Sequence, residues 1–234
     1  YTIRYMIGME EMGLYNLGFK IANVLKLFVI NSVVSAINPL KYRIMNNPNN
    51  KRFYSKIMTY SSFGFLILLL IMTLFSKEMI RFLAQDPSYW NAYNFVPILC
   101  FAQLFELFRK NVSFGLTIEK KTKIISSIMI FISIMNIGIN IAFIYFFNII
   151  GAAIALLLSQ LFFFILIYYY SQKNYHIPYE IKKIATMVLI ATVIVGLNYL
   201  WVNPMKFPFR LIIKVVSVMS FPFLLYFFNF YEQI

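Results

Sequence analysis

Seven stretches of the chain, at about 17–40, 57–76, 93–116, 122–147, 150–171, 184–202 and 210–230, run on with few charges for roughly the twenty residues that a helix needs to cross a bilayer. Pro, Asn or charge clusters bound them, such as Asn46-Asn47-Pro48-Asn49-Asn50 and Asn203-Pro204. They use most of the 234 residues, so no sizeable extramembrane domain fits. The runs are continuous and lack the alternation of barrel strands, which excludes a closed β-barrel. Composition agrees: 61% of residues are hydrophobic and 12% charged, against about 45–50% and about 25% in soluble domains. The expected fold is all-α, a polytopic transmembrane helix bundle.

Lys and Arg set the expected orientation, because they gather on the cytoplasmic side. The loops after the first, third and fifth spans hold eleven: Lys41, Arg43, Lys51, Arg52, Lys56, Lys120, Lys121, Lys123, Lys173, Lys182 and Lys183. The other side holds five, Arg4, Lys77, Arg81, Lys206 and Arg210, beside Glu10, Glu11, Glu78 and Asp86. This places the Tyr1 end outside and the C-terminus in the cytoplasm, with Trp90 and Trp201 at outer span ends and Tyr168-Tyr169-Tyr170 at an inner one. The asymmetry accounts for most of the net charge of +13 without nucleic acid. An external Tyr1 with no signal segment leads to the expectation of a fragment preceded by at least one helix.

Six charges fall inside the spans: Lys20, Lys26, Glu106, Arg109, Lys110 and Lys214. Such groups face a bundle interior or water, since each costs a few kcal/mol or more at mid-bilayer. On a helical wheel Asn16, Lys20, Asn23, Asn31 and Asn38 form one stripe of the first span, with Lys26 at its edge. Gln103, Glu106, Lys110, Ser113 and Thr117 lie within about 80° on the third, and Thr122, Ser126, Ser133, Asn136 and Asn140 within about 80° on the fourth. Three polar faces suggest a shared, hydrated, net-cationic cavity. Blander readings stand beside it. Lys20 and Lys214 lie near span ends and can snorkel, Lys214 more readily. Glu106 and Lys110 are i,i+4 partners that can neutralise each other as an ion-pair site. Asn and Ser stripes also bind helices together with no ligand.

Other features point to packing. Gly151-Ala152-Ala153-Ile154-Ala155 is a small-residue patch for close helix approach. Cys100, the single cysteine, sits in an apolar run, and excludes a disulfide framework and a Cys-based zinc site. His176, the single histidine, lies in a loop beside Pro178 and is expected to be solvated. Gly-rich phosphate loops, HExxH and GxSxG are absent from the sequence, so nothing in it supports an enzyme.

Several segments carry a resemblance. Ile7-Gly8-Met9-Glu10-Glu11-Met12-Gly13-Leu14-Tyr15 precedes a polar span ending Asn38-Pro39; Lys120-Lys121-Thr122-Lys123 leads to Asn136-Ile137-Gly138-Ile139-Asn140 and then to Ile150-Gly151-Ala152-Ala153. Their order and spacing resemble the oligosaccharide flippases, which include O-antigen and capsule transporters, of the multidrug/oligosaccharidyl-lipid/polysaccharide exporter superfamily. The resemblance covers about 1–171, the core of a C-terminal lobe whose first helix is missing; 172–234 resembles the extra helix pair of fourteen-helix members. It implies two lobes working by alternating access in a bacterial inner membrane. The cargo it implies is a polyprenyl-diphosphate-linked oligosaccharide, carried from the cytoplasmic to the outer face for surface polysaccharide biosynthesis. No cofactor is implied, the coupling ion stays open between H+ and Na+, and a membrane glycan polymerase is an expected partner beside the membrane lipids.

A diphosphate leaving water needs cationic partners. Lys20, Lys26, Arg109 and Lys110 are the expected anion contacts, and Asn16, Asn23, Asn31, Gln103, Asn136 and Asn140 the expected hydrogen-bonding partners of sugar hydroxyls. The alternative is an ion-coupled multidrug exporter of the same superfamily, for which Glu106 is the only acidic candidate within these spans. A membrane enzyme of glycan assembly is a third class. It lacks the large external loop that such enzymes use, the longest external segment being about 77–92.

Overall fold

The computed structural model describes residues 6–84, 86–203, 205 and 207–227. Tyr1, Arg4, Lys206, Pro204, the end of the last expected span at 228–230 and the C-terminus lie outside them. Helix α1 (Met9–Arg43) starts after Gly8, whose φ of 116° suits only glycine. Glu10 and Glu11 sit in its first turn, and Lys41 and Arg43 in its last, each complementing the helix dipole. At its middle, Lys26–Asn31 is wound as a π-helix. Helix α2 (Asn50–Leu74) follows, then the short α3 (Ser76–Leu83) and a 3₁₀ segment (Pro87–Asn94). Helix α4 (Val96–Ile118) packs against α1, α2 and the long α5 (Thr122–Asn174), and is buried on most of its circumference.

Helix α5 is two helices in succession. Asn148 takes φ 51° and ψ −136°, a left-handed, non-helical conformation that Asn tolerates better than most residues. The chain turns there, and the two halves pack side by side. Gly151 permits it, because a Cβ at that position would overlap the Phe143 carbonyl. Gly151, Ala152, Ala153 and Ala155 are all buried, so the small-residue patch is a packing seam. Helices α6 (Ile181–Val202) and α7 (Phe207–Phe227) complete the described chain.

Among the described residues every element is helical. Five helices are long and apolar enough to cross a membrane: α1, α2, α5, α6 and α7. That is compatible with a multi-pass membrane protein. Two features separate this count from the seven expected spans. The two halves of α5 are counted together as one helix although the chain turns at Asn148, and α4 carries Glu106, Arg109 and Lys110 within five residues. The core is built from Leu66, Leu69, Leu70, Leu99, Leu104 and Leu107, on α2 and α4, all fully enclosed. Outward faces stay apolar, with Phe28, Ile134, Phe146, Leu189 and Met219 exposed. Hydrophobic residues on both the inside and the outside of one bundle are what a lipid solvent requires.

Candidate functional site

The charges of α1 and α4 meet where the two helices pack. Glu106, 4% exposed, gathers three cations around a single oxygen. Lys26 Nζ stands 3.1 Å from Glu106 Oε1, Lys110 Nζ 3.5 Å and Arg109 Nη2 3.8 Å. Lys110 also donates to Asn31 Oδ1 at 3.4 Å. The Arg109 guanidinium lies 4.2 Å from the centre of the Phe163 ring on the second half of α5, a favourable cation–π placement in a dry setting. The i,i+4 pairing of Glu106 with Lys110 is therefore real, and two further cations join it. Three positive charges against one negative leave the cluster at net +2.

The π-helical segment of α1 explains how Lys26 and Asn31 come to serve one site. In an α-helix residues five apart diverge by about 140°. A π-turn bonds i to i+5 and stacks them, so both ends of the segment face the Glu106–Lys110 edge of α4. Regular helical geometry leaves Lys26 at the margin of its stripe; the π-turn draws it in.

Two buried polar atoms of α4 lack hydrogen-bond partners among the described residues: Arg109 Nε in the cluster and Gln103 Oε1, one turn before Glu106. Leaving such an atom unmet costs roughly 1–3 kcal/mol. A bound polar ligand or water would recover it.

The other expected site residues are distributed elsewhere. Asn23 is half-buried on α1. Asn16 and Lys20, both exposed, line a groove of about 420 Å³ with Asp86 and Tyr89. Asn136 and Asn140 work inside the α5 hairpin: Asn136 Nδ2 donates to Ser159 Oγ at 2.6 Å and Asn140 Nδ2 to Asn136 Oδ1 at 2.9 Å. Ser126 and Ser133 donate to carbonyls of their own helix. The third polar stripe thus bonds within its own hairpin.

Three charge arrangements went unforeseen. Lys214 does not snorkel. It is fully buried and reaches both oxygens of Glu78, at 3.1 and 2.9 Å, while Arg210 Nε stands 2.8 Å from Glu78 Oε1. A carboxylate one helix away is a better partner for a buried ammonium than distant water. Arg210 and Lys214 stand at i,i+4 and so share one face of α7, but their spacing does not say which of Glu78 and Asp86 they meet. Lys41, expected in the loop after the first span, lies in the last turn of α1 and is 4% exposed; its Nζ donates to Asn111 Oδ1 at 3.1 Å and lies over Phe114. Glu180, just before α6, accepts from Lys56 at 2.9 Å and Thr59 at 2.7 Å. Partial burial pushes the Glu180 carboxyl up, but bonds from Thr59, Lys56 and Lys183 outweigh it and hold the group below the ordinary range. Cys100 is buried and His176 exposed, as the sequence indicates.

No protein-family model matches this chain, and no curated protein matches it.

Proposed function

We propose that the protein is a transmembrane flippase for a polyprenyl-diphosphate-linked oligosaccharide, and that the Lys26–Arg109–Lys110 cluster receives the diphosphate. The observation that carries this reading is the imbalance at Glu106: one buried carboxylate serves three cations in an apolar bundle. Self-neutralisation alone needs one cation per carboxylate. The surplus attracts a ligand anion, and Lys26, whose side chain is 39% exposed, can leave Glu106 to meet it. Charge-assisted bonds to phosphate oxygens are stronger than neutral ones, and the surrounding low dielectric strengthens them further. Asn31, which meets Lys110, offers an acceptor to a sugar hydroxyl next to that site, and Gln103 Oε1, buried one turn before Glu106, is a second unmet acceptor on the same helix.

On this reading α4 is a spanning helix that tolerates its charges by facing the cluster inward, and α5 contributes two spans, which restores seven. The basic loops face the cytoplasm of a bacterial inner membrane, residues 1–171 form the core of one transporter lobe, and α6 with α7 is an added pair. Transport serves surface polysaccharide assembly, alongside a membrane glycan polymerase. The resemblance in segment order supports the same assignment. The drug-exporter reading needs an acidic site for a cation, and the cations around Glu106 disfavour it.

Complementation of a strain lacking the native gene tests the proposal. The double variant Lys26→Gln/Arg109→Gln is expected to lose surface polysaccharide at least tenfold at normal protein level, while Asn140→Ala retains it. Full complementation by the double variant contradicts the proposal.

A further inference from the structure

The groove at the start of α1 has a chemistry of its own. Asn16 and Lys20 come from α1, Asp86 and Tyr89 from the segment after α3, and the space between them is about 420 Å³. Small-ligand sites fall at about 300–1,000 Å³. The groove shares no residue with the cluster at Glu106.

Its walls are braced before any ligand arrives. Asp86 Oδ1 accepts from the Ser88 N–H at 2.9 Å and caps the 3₁₀ segment, with Pro87 setting its first turn. Trp90 Nε1 donates to the Ala84 carbonyl at 3.2 Å, and the Arg81 guanidinium lies 4.9 Å from the Trp90 ring centre. The Tyr89 ring is laid close along α1 because residue 13 is Gly; a Cβ there would stand 3.2 Å from Tyr89 Cε1. A braced groove loses little entropy on binding.

The charges decide what kind of ligand fits. Asp86 and Lys20 line the same space, yet neither takes part in an ion pair among the described residues. Bonds from the backbone and side chain of Ser88 hold the Asp86 carboxyl below its ordinary range, so it is ionised at neutral pH. A diphosphate entering would be repelled by Asp86, and a drug-like cation by Lys20. A neutral molecule rich in hydroxyls uses both heads at once. Asp86 accepts from hydroxyls, Lys20 donates to them, and Asn16 does either. The Tyr89 ring offers an apolar face on which a pyranose ring can stack.

We infer that this groove is a glycosyl subsite, which binds one neutral sugar unit of the transported glycan while the diphosphate sits at the Glu106 cluster. The inference rests on the flippase reading and divides the ligand between two places: the charged group at the π-segment of α1, the sugar at its N-terminal end.

Calorimetric titration of the purified full-length protein tests it with two probes: inorganic pyrophosphate, and the host's own surface oligosaccharide freed from its lipid diphosphate by mild acid. The wild type is expected to bind both. Asp86→Asn and Tyr89→Leu should each weaken oligosaccharide binding at least tenfold and leave pyrophosphate binding within twofold. Tyr89→Phe, which keeps the ring, should bind the oligosaccharide as the wild type does. Oligosaccharide binding unchanged in Asp86→Asn and Tyr89→Leu overturns the inference. So does loss of both probes in those variants, which marks the groove as scaffold, and so does a wild type that binds pyrophosphate alone. A wild type that binds neither probe overturns the flippase reading itself.

Discussion

Glu106 holds its site together by satisfying three cations that would otherwise be charged and unpaired in an apolar surrounding. Removing one partner of a buried ion pair costs about 3–5 kcal/mol, because the remaining charge keeps its desolvation penalty. Glu106→Gln is therefore expected to lower the thermal unfolding midpoint in detergent. The same change removes the internal competitor for a ligand anion, so pyrophosphate should bind more tightly and restore much of the lost stability. A variant as stable as wild type, or one destabilised but indifferent to pyrophosphate, would contradict this account of the cluster. Much of it was legible in the sequence: Glu106, Arg109 and Lys110 stand out as charges in an apolar run, and the spacing of Glu106 and Lys110 marks their pairing. The burial of Lys214 and Lys41 was not legible. Their partners, Glu78 and Asn111, are remote in sequence, and hydropathy along a chain carries no information about which helices meet.

At the scale of elements, periodicity located the helices because an apolar run of spanning length admits few other structures in lipid. It failed at local departures from 3.6 residues per turn. The π-segment Lys26–Asn31 rotates everything beyond it, so wheel positions reckoned from Asn16 misplace Lys26 relative to Asn31. The Asn stripe of α5 read as a wall of the cavity from its spacing alone, whereas Asn136 turns to Ser159 across the hairpin. The hairpin itself depends on Gly151, whose Cβ would overlap the Phe143 carbonyl. Gly151→Ala should destabilise the protein by about 1–3 kcal/mol, the usual cost of overpacking. Gly138→Ala meets nothing within 4 Å and should be neutral or mildly stabilising. Thermal unfolding of the two variants side by side checks this; equal midpoints would mean that the two halves of α5 do not pack as closely as described.

For the molecule as a whole, the bundle presents apolar residues outward, encloses a buried core between α2 and α4, and pairs its buried charges where helices meet, as at Glu106 and Glu78. A net-positive cluster between helices is costly in such a body, and on the flippase reading it is kept because something anionic passes or binds there. The most direct measurement of that claim is the membrane face on which a lipid-linked glycan accumulates when the gene is deleted in its native host, read with an impermeant glycan-modifying reagent. The account predicts accumulation on the cytoplasmic face, reversed by the wild-type gene but not by the Lys26→Gln/Arg109→Gln variant. Delivery to the outer face at the normal rate, in a host with no second flippase, would contradict it.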